Sequence, residues 1–96
     1  MDFRVKITDP AIADLRAIVS YIARDNPAAA TVIGNNLLDA SLSLAPTPYK
    51  GSPFRAIAGV RKLTMRPFKI FYRVHESREL VEVLRVWHSA RREPKL

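Results

Sequence analysis

Apolar residues recur along this chain with two different periods, which predict helices in its first half and strands in its second. Residues 3–7 alternate apolar and basic side chains, as a short strand does. Residues 10–24 and 27–44 then carry apolar side chains at helical spacing. The predicted apolar stripes consist of Ile12, Leu15, Ile18, Val19 and Ile22 in the first helix, and of Ile33, Leu37, Leu38, Ala40, Leu42 and Leu44 in the second.

Both predicted helices begin with a polar side chain followed by proline. In Asp9-Pro10 and in Asn26-Pro27, the first side chain offers an oxygen to the free amides of the helix start. Proline suits the first turn because it has no amide to leave unpaired. The break between the helices is very short, so we expect an antiparallel helical hairpin. Pro46 and Pro48 end the second helix.

Three strand-like runs follow, at residues 60–65, 69–75 and 80–88. The gaps between them have hairpin length, so we expect antiparallel pairing. Residues 46–59 form the one long irregular stretch, either a functional loop or a plain connector. The order strand, helix, helix, strand, strand, strand predicts a single α+β domain over residues 1–96. Its N-terminal strand and helical hairpin are expected to pack on an antiparallel sheet, in two layers.

The charge of the chain is unevenly distributed. The net charge is +7, and residues 1–48 carry −1 whereas residues 49–96 carry +8. Such asymmetry indicates a polyanionic or acidic partner, which would be RNA, DNA or an acidic protein. The alternative is a basic surface that only keeps the protein in solution.

Composition also excludes several classes of protein. There is no cysteine, so disulfides, thiolate metal sites and a cysteine nucleophile are excluded. The two histidines have no carboxylate at metal-ligand spacing, and three glycines leave no glycine-rich phosphate loop, so we expect no metal and no cofactor. No signal peptide and no apolar run of about 20 residues is present, so we expect a cytoplasmic protein without membrane contact.

A set of basic residues falls inside the predicted strands. Strand alternation places Lys69 and Arg73 on one face of the middle strand, and Val83, Arg85 and Trp87 on one face of the last. A basic cluster on a rigid sheet holds phosphates or acidic side chains at fixed geometry, although a single such side chain more often covers apolar surface with its stem. We favour a binding surface for the whole set, which consists of Arg61, Lys69, Arg73 and Arg85.

Two further residues near the end of the last strand are candidates for function. Trp87 would stack on a base or pack in a core or interface, and packing is the favoured role. His88 is a candidate general acid or base near neutral pH, although a lone histidine at a strand end is more often a polar surface residue. Arg91 follows them in a polar tail.

Three stretches in this order and spacing resemble the RelE/ParE family of bacterial toxins, over nearly the whole chain. They are ITDPAIADL at residues 7–15, RDNPAAA at residues 24–30, and the strand segments FKIFYRV at 68–74 and LRVWHSAR at 84–91. The resemblance implies the toxin of a type II toxin–antitoxin pair, held inactive by a partner antitoxin.

The Asp-Asn-Pro junction and the Trp-His-x-Ala-Arg ending resemble the ParE branch, which includes plasmid-stabilisation toxins. That resemblance implies a toxin without catalytic residues, which inhibits DNA gyrase and is neutralised by a ParD-type antitoxin in a hetero-oligomer. The residues expected to bind the target or the antitoxin are then Arg61, Lys69, Arg73, Arg85, Trp87, His88 and Arg91.

The alternative branch is RelE-like, and it implies a ribosome-dependent messenger-RNA endonuclease. An arginine of its strand motif is replaced here by Lys69, which keeps the charge but loses the planar fork. A tyrosine that some members place near the end has no counterpart in the tail at residues 92–96. The catalytic set in this interpretation is His88 with Arg61, Lys69, Arg85 and Arg91. A third hypothesis is an inert relative that keeps antitoxin binding but has lost toxicity.

Overall fold

The computed structural model describes residues 2–96, in which two helices cover one face of a five-stranded sheet. This is the predicted two-layer α+β architecture. The elements are β1 (Arg4–Ile7), α1 (Asp9–Ala23), α2 (Pro27–Leu42), β2 (Ser52–Pro53), β3 (Val60–Met65), β4 (Phe68–His75), a 3-10 turn (Glu76–Arg78) and β5 (Leu80–His88). No helix among residues 2–96 is both long and apolar enough to cross a bilayer.

The two helix starts differ in how far they follow the prediction. α2 is capped as expected, because Asn26 Oδ1 accepts a hydrogen bond from the Ala29 amide at 3.0 Å. For α1 the predicted cap was wrong. Thr8 is the N-cap, its hydroxyl accepting from the Ala11 amide at 3.4 Å, and Asp9 lies inside the first turn, where a negative charge favours the helix dipole.

The sheet has the strand order β1-β5-β4-β3-β2. β3, β4 and β5 pair antiparallel, as predicted. β1 pairs parallel with β5, so the sheet is mixed rather than wholly antiparallel. Parallel pairing needs a long crossover connection, which the hairpin and the intervening strands supply. The short β2 lies inside the stretch that was expected to be irregular, and it pairs with β3.

A bulge in β5 breaks the side-chain alternation. Phe71 pairs with Arg85 but the next residue, Tyr72, pairs with Val83, so β5 contains one extra residue between Val83 and Arg85. Val83 therefore packs beneath the helices with Tyr72, whereas Trp87 packs with Phe71 on the opposite face. The prediction that Val83 and Trp87 share a face was wrong, because the inserted residue shifts the pattern by one position.

The domain has a main core and a smaller second cluster. The main core lies between helices and sheet and is built around Leu37, Ile70, Tyr72 and Val83. The second cluster lies on the face of the sheet away from the helices, which we call the open face. There Phe54 and Phe71 meet edge to face, with ring centroids 4.9 Å apart. The full second cluster consists of Phe54, Val60 and Phe71, with Ile57, Leu84 and Trp87 packed against it.

Candidate binding surfaces

Trp87 is the centre of a basic cluster on the open face. The guanidinium carbons of Arg85 and Arg91 lie 4.6 Å and 4.2 Å from the centroid of its ring, within the range of cation–π attraction. Lys69 lies directly across from Trp87 in the pairing of β4 with β5. The structure thus brings together four of the residues predicted from the sequence, Lys69, Arg85, Trp87 and Arg91.

Arg85 is held by a carboxylate from the helical layer. Its Nε and Nη2 donate to the two carboxylate oxygens of Asp14 in α1, at 2.7 Å and 2.8 Å. The same carboxylate accepts the Val86 amide at 3.0 Å. Hydrogen bonding to Asp14 raises the pKa of Arg85, against a smaller opposing effect of burial. Most of the positive charge that Arg85 brings to the open face is therefore balanced by Asp14.

Asp14 and Thr8 provide hydrogen-bond partners for backbone groups of β5 that lie beyond its pairing with β1. The pairing of β1 with β5 ends at Ile7 and Val83. Beyond that point the Thr8 hydroxyl donates to the carbonyl oxygen of Val83 at 2.8 Å, and Asp14 accepts the Val86 amide. The bulged part of β5 is thus fixed by side chains of α1 and its N-cap, which sets the positions of Arg85 and Trp87.

Arg61 and Arg73 lie apart from this cluster. Arg61 donates to the carbonyl oxygens of Tyr49 and Gly51, so it holds the loop between α2 and β2. It pairs with Tyr72 in β4, three residues along the strand from Lys69. Arg73 donates to the carbonyl oxygen of Ala58 at 3.3 Å. Both side chains are engaged with loop carbonyls, so neither joins the cluster around Trp87.

His88 lies on the helix side of β5, away from the open face. Its Nδ1 accepts the Ala90 amide at 3.0 Å, and its ring meets Phe68 edge to face with centroids 5.4 Å apart. The Nδ1 hydrogen bond fixes the ring and leaves Nε2 for another partner. His88 and Arg91 stand at the rim of a groove between α1 and the end of β5.

This groove lies on the helix side of the sheet and has a volume of about 570 Å³. Its walls are mostly apolar, and beside them Tyr21 leaves 72% of its surface exposed. Arg91 lines the groove and also contacts Trp87, so it belongs to both surfaces. The lining consists of Ala17, Ile18, Tyr21, Ile22, Ile33, Pro67, Phe68 and Val86, with Asp14, His88 and Arg91 as its polar members.

Comparison with known proteins shows the family of the chain. The chain matches the model for the ParE toxin of the type II toxin–antitoxin system parDE over residues 5–93. This chain belongs to the ParE toxin family. It is 39% identical over 82 residues to Toxin RelE2 of Caulobacter vibrioides, a match that covers 84% of this chain and 89% of that protein.

Solved structures from both branches share its fold. The chromosomal ParDE system of P. aeruginosa contains a chain that is 26% identical, with a TM-score of 0.78 over 90% of this chain and 95% of that one. RelBE2 of Mycobacterium tuberculosis, 22% identical, matches in fold with a TM-score of 0.72 over 92% and 99% of the two chains. The protein is thus a type II toxin of the RelE/ParE superfamily, and the predicted family resemblance is confirmed.

Sequence reasoning about this toxin missed Asp14 and Arg55. Asp14 had a readable signal, because it lies three residues after Ala11 and four before Ile18 on the buried stripe of α1. A carboxylate in that position needs a partner. Arg55 and Lys62 line a pocket on the open face together with Glu93, and only the tertiary fold brings those three together.

Proposed function

We propose that this toxin acts by binding rather than by catalysis, as an inhibitor of DNA gyrase that a ParD-type antitoxin neutralises. The observation that carries the proposal is the engagement of its basic strand residues. Arg85 is bound by Asp14 and Arg61 by loop carbonyls, while His88 lies on the other side of the sheet from Lys69. Cleavage of RNA needs an acid, a base and cations around a single phosphate, and this arrangement keeps His88 and Lys69 on opposite sides of the sheet.

The groove between α1 and β5 is the surface that we assign to the antitoxin. Its apolar walls and the exposed Tyr21 suit the apolar face of a helix from a partner, since large apolar surface is seldom left exposed without one. Arg91 at the rim would meet acidic side chains. The P. aeruginosa relative was solved as a ParDE system, which supports a ParD-type partner in a hetero-oligomer.

A gyrase supercoiling assay tests the proposal. Purified toxin should block supercoiling, and the product of the adjacent gene should relieve the block. Lys69→Ala should weaken inhibition, because it removes a cation that lies across from Trp87 in the strand pairing. Lys6→Ala, which removes an exposed strand lysine from β1, is the matched control and should inhibit as wild type does. Supercoiling that continues at full rate with excess toxin would contradict the proposal.

The second candidate function is ribosome-dependent cleavage of messenger RNA. Two observations favour it. His88 and Arg91 both line the groove, with no hydrogen bond to Nε2 of His88 from residues 2–96, and the chain is 39% identical to a toxin named RelE2. Primer extension on a translated transcript separates the two functions. We expect no cuts and undiminished toxicity in His88→Gln, with His75→Gln as the control. Codon-phased cuts that disappear in His88→Gln but not in the control would contradict gyrase inhibition and support the nuclease function.

A third outcome separates toxicity from antitoxin binding. An inert relative would bind the antitoxin in a pull-down yet leave cell growth, supercoiling and transcripts unchanged. That result would support the groove as the antitoxin-binding surface and contradict both toxic activities.

A further inference from the structure

A second group of basic residues lies at the end of the sheet away from Trp87. In the strand pairing, Glu82 of β5 has Lys6 of β1 on one side and Arg73 of β4 on the other. Arg4 lies two residues before Lys6, on the same face of β1. Arg73 is about 13 Å along β4 from the residue that pairs with Trp87, so this group is separate from the first cluster. We call Arg4, Lys6, Arg73, His75 and Glu82 the distal patch.

Side-chain alternation places the distal patch on the open face. Val5 packs against the main core, so Lys6 beside it lies on the opposite face of β1. In β4 Val74 packs against the main core, which places Arg73 on the same open face. Glu82 pairs with both cations and lies between them. The three strands therefore present one continuous row of charged side chains.

The carboxylate of Glu82 is engaged by a histidine rather than by the cations beside it. Its Oε1 lies 3.0 Å from Nε2 of His75. No ion pair within residues 2–96 includes Arg4, Lys6 or Arg73. Arg4 and Lys6 are also exposed. The three cations are therefore available to an anionic ligand, and they outnumber the carboxylate.

One of these cations is held in place by the loop before β3. The guanidinium of Arg73 donates to the carbonyl oxygen of Ala58 at 3.3 Å. Gly59 follows with a φ of +80°, and a Cβ at that position would lie 2.8 Å from Nη1 of Arg73. The loop thus leaves the space that the guanidinium occupies. Because Arg73 is fixed before a ligand arrives, binding costs less conformational entropy.

The distal patch offers charge but little apolar surface. The apolar residues in the same cross-strand rows, Leu80 and Val60, are 6% and 2% exposed. A protein partner needs apolar or aromatic anchors at the centre of its interface, and single-stranded nucleic acid binds largely by stacking on aromatic rings. The phosphate backbone of a duplex needs only cations and hydrogen-bond donors. The chemistry of the patch therefore favours a duplex.

We propose that the distal patch binds the phosphate backbone of double-stranded DNA, without regard to base sequence. Lys6 and Arg73 are two strands apart, about 10 Å, and over that distance one DNA strand presents about three phosphates. Proteins recognise an RNA duplex largely through 2′-hydroxyls in its minor groove, and side chains on the face of a sheet do not enter that groove. The proposal goes beyond gyrase inhibition, because this contact needs neither gyrase nor the antitoxin.

Salt dependence of DNA binding tests the proposal. Fluorescence anisotropy measures the affinity of the purified toxin for a short labelled duplex at increasing salt. Lys6→Gln and Arg73→Gln should each weaken binding and lower the slope of log affinity against log salt by about one. Arg24→Gln removes an exposed cation from the end of α1, on the helical layer, and is the matched control. Equal slopes for Lys6→Gln and Arg24→Gln would overturn the proposal, since they would show attraction by net charge alone.

A change at the carboxylate gives the opposite sign. Glu82→Gln should bind the duplex more tightly than Asp39→Asn does, although both raise the net charge by one and Asp39 lies exposed on α2. Equal affinities, or preferred binding of a single strand of the same length or of polyglutamate of equal charge, would contradict the proposal. Lys6→Ala should lose DNA affinity yet inhibit gyrase as wild type does, so failure here is distinguishable from failure of the proposed function.

Discussion

Asp14 and Arg85 are 71 positions apart in the chain and meet through two hydrogen bonds, at 2.7 Å and 2.8 Å. The pair ties the helical layer to the bulged part of β5, and the planar guanidinium of Arg85 also lies against Trp87. Because Asp14 lines the groove on one side of β5 and Trp87 lies on the other, this ion pair connects the two surfaces. Its first role is therefore to place the residues around Trp87.

Replacing Asp14 by asparagine should destabilise the domain. The amide keeps the shape but leaves Arg85 without its charged partner and presents a donor where the carboxylate accepted. Loss of a half-buried, charge-assisted pair of this kind costs about 1–3 kcal/mol in the free energy of unfolding. Urea titration measures it, and Asp39→Asn at an exposed position of α2 is the control. Equal midpoints for the two variants would show that the pair adds no stability.

The hydroxyl of Tyr72 should contribute a similar amount to the free energy of unfolding. Tyr72 is fully buried, and its oxygen accepts the Gly51 amide at 3.0 Å. Tyr72→Phe leaves that buried amide without a partner, at a cost of about 1–3 kcal/mol. Tyr21→Phe removes a hydroxyl from a side chain that is 72% exposed and should change the free energy of unfolding little. Thermal unfolding of the two variants should therefore differ clearly.

Gly51 should tolerate no side chain at all. A Cβ there would lie 2.6 Å from the carbonyl oxygen of Lys62 and 2.7 Å from the Tyr72 hydroxyl. The first neighbour is a backbone atom and the second belongs to a buried side chain, so displacing either one costs free energy. We expect Gly51→Ala to lower the melting temperature more than Tyr72→Phe does. At Gly34 a Cβ would meet only the side chain of Val19, at 2.9 Å, so Gly34→Ala should be the milder change.

The buried stripe of α2 permits a sharper test of the hairpin. Leu37 is 1% exposed in the main core, whereas its neighbour Leu38 is 39% exposed. Leu37→Asp should prevent cooperative folding, because an unpaired charge would be buried, while Leu38→Asp should fold normally. Leu15→Asp in α1 should be destabilising but less so, since Leu15 is only partly buried. Circular dichroism of the three variants distinguishes them.

Periodicity predicted the helices and the three long strands because each of those elements buries a regular set of side chains. Leu37 and Ile70 belong to such sets and lie where the pattern placed them. The position of β1 beside β5 depends on a long-range pairing that no local pattern encodes. The bulge after Val83 is likewise a tertiary feature, since Thr8 and Asp14 stabilise it from a distant part of the chain.

In the basic site, too, the local pattern predicted some features and tertiary contacts determined the others. Alternation correctly assigned Lys69 and Arg73 to one face of β4, because that strand is regular. It grouped Arg85 with Trp87 correctly but placed Val83 on the same face, because the bulge intervenes. The partners that decide how each cation is used, Asp14 for Arg85 and the Gly51 carbonyl for Arg61, come from distant elements and were not predictable from spacing.

Association with the antitoxin should depend on salt more than the finished complex does. The second half of this toxin carries a charge of +8, so an acidic partner is attracted over a range of about one Debye length. Such attraction speeds the encounter, whereas apolar contacts in the groove hold the complex once it has formed. Arg91→Ala should slow association, because Arg91 stands at the rim of the groove, and Arg78→Ala, in the 3-10 turn after β4 and outside the groove lining, is the matched control. Stopped-flow mixing at increasing salt should show a falling association rate with a nearly constant dissociation rate. An association rate that does not respond to salt would show that the basic surface takes no part in the encounter.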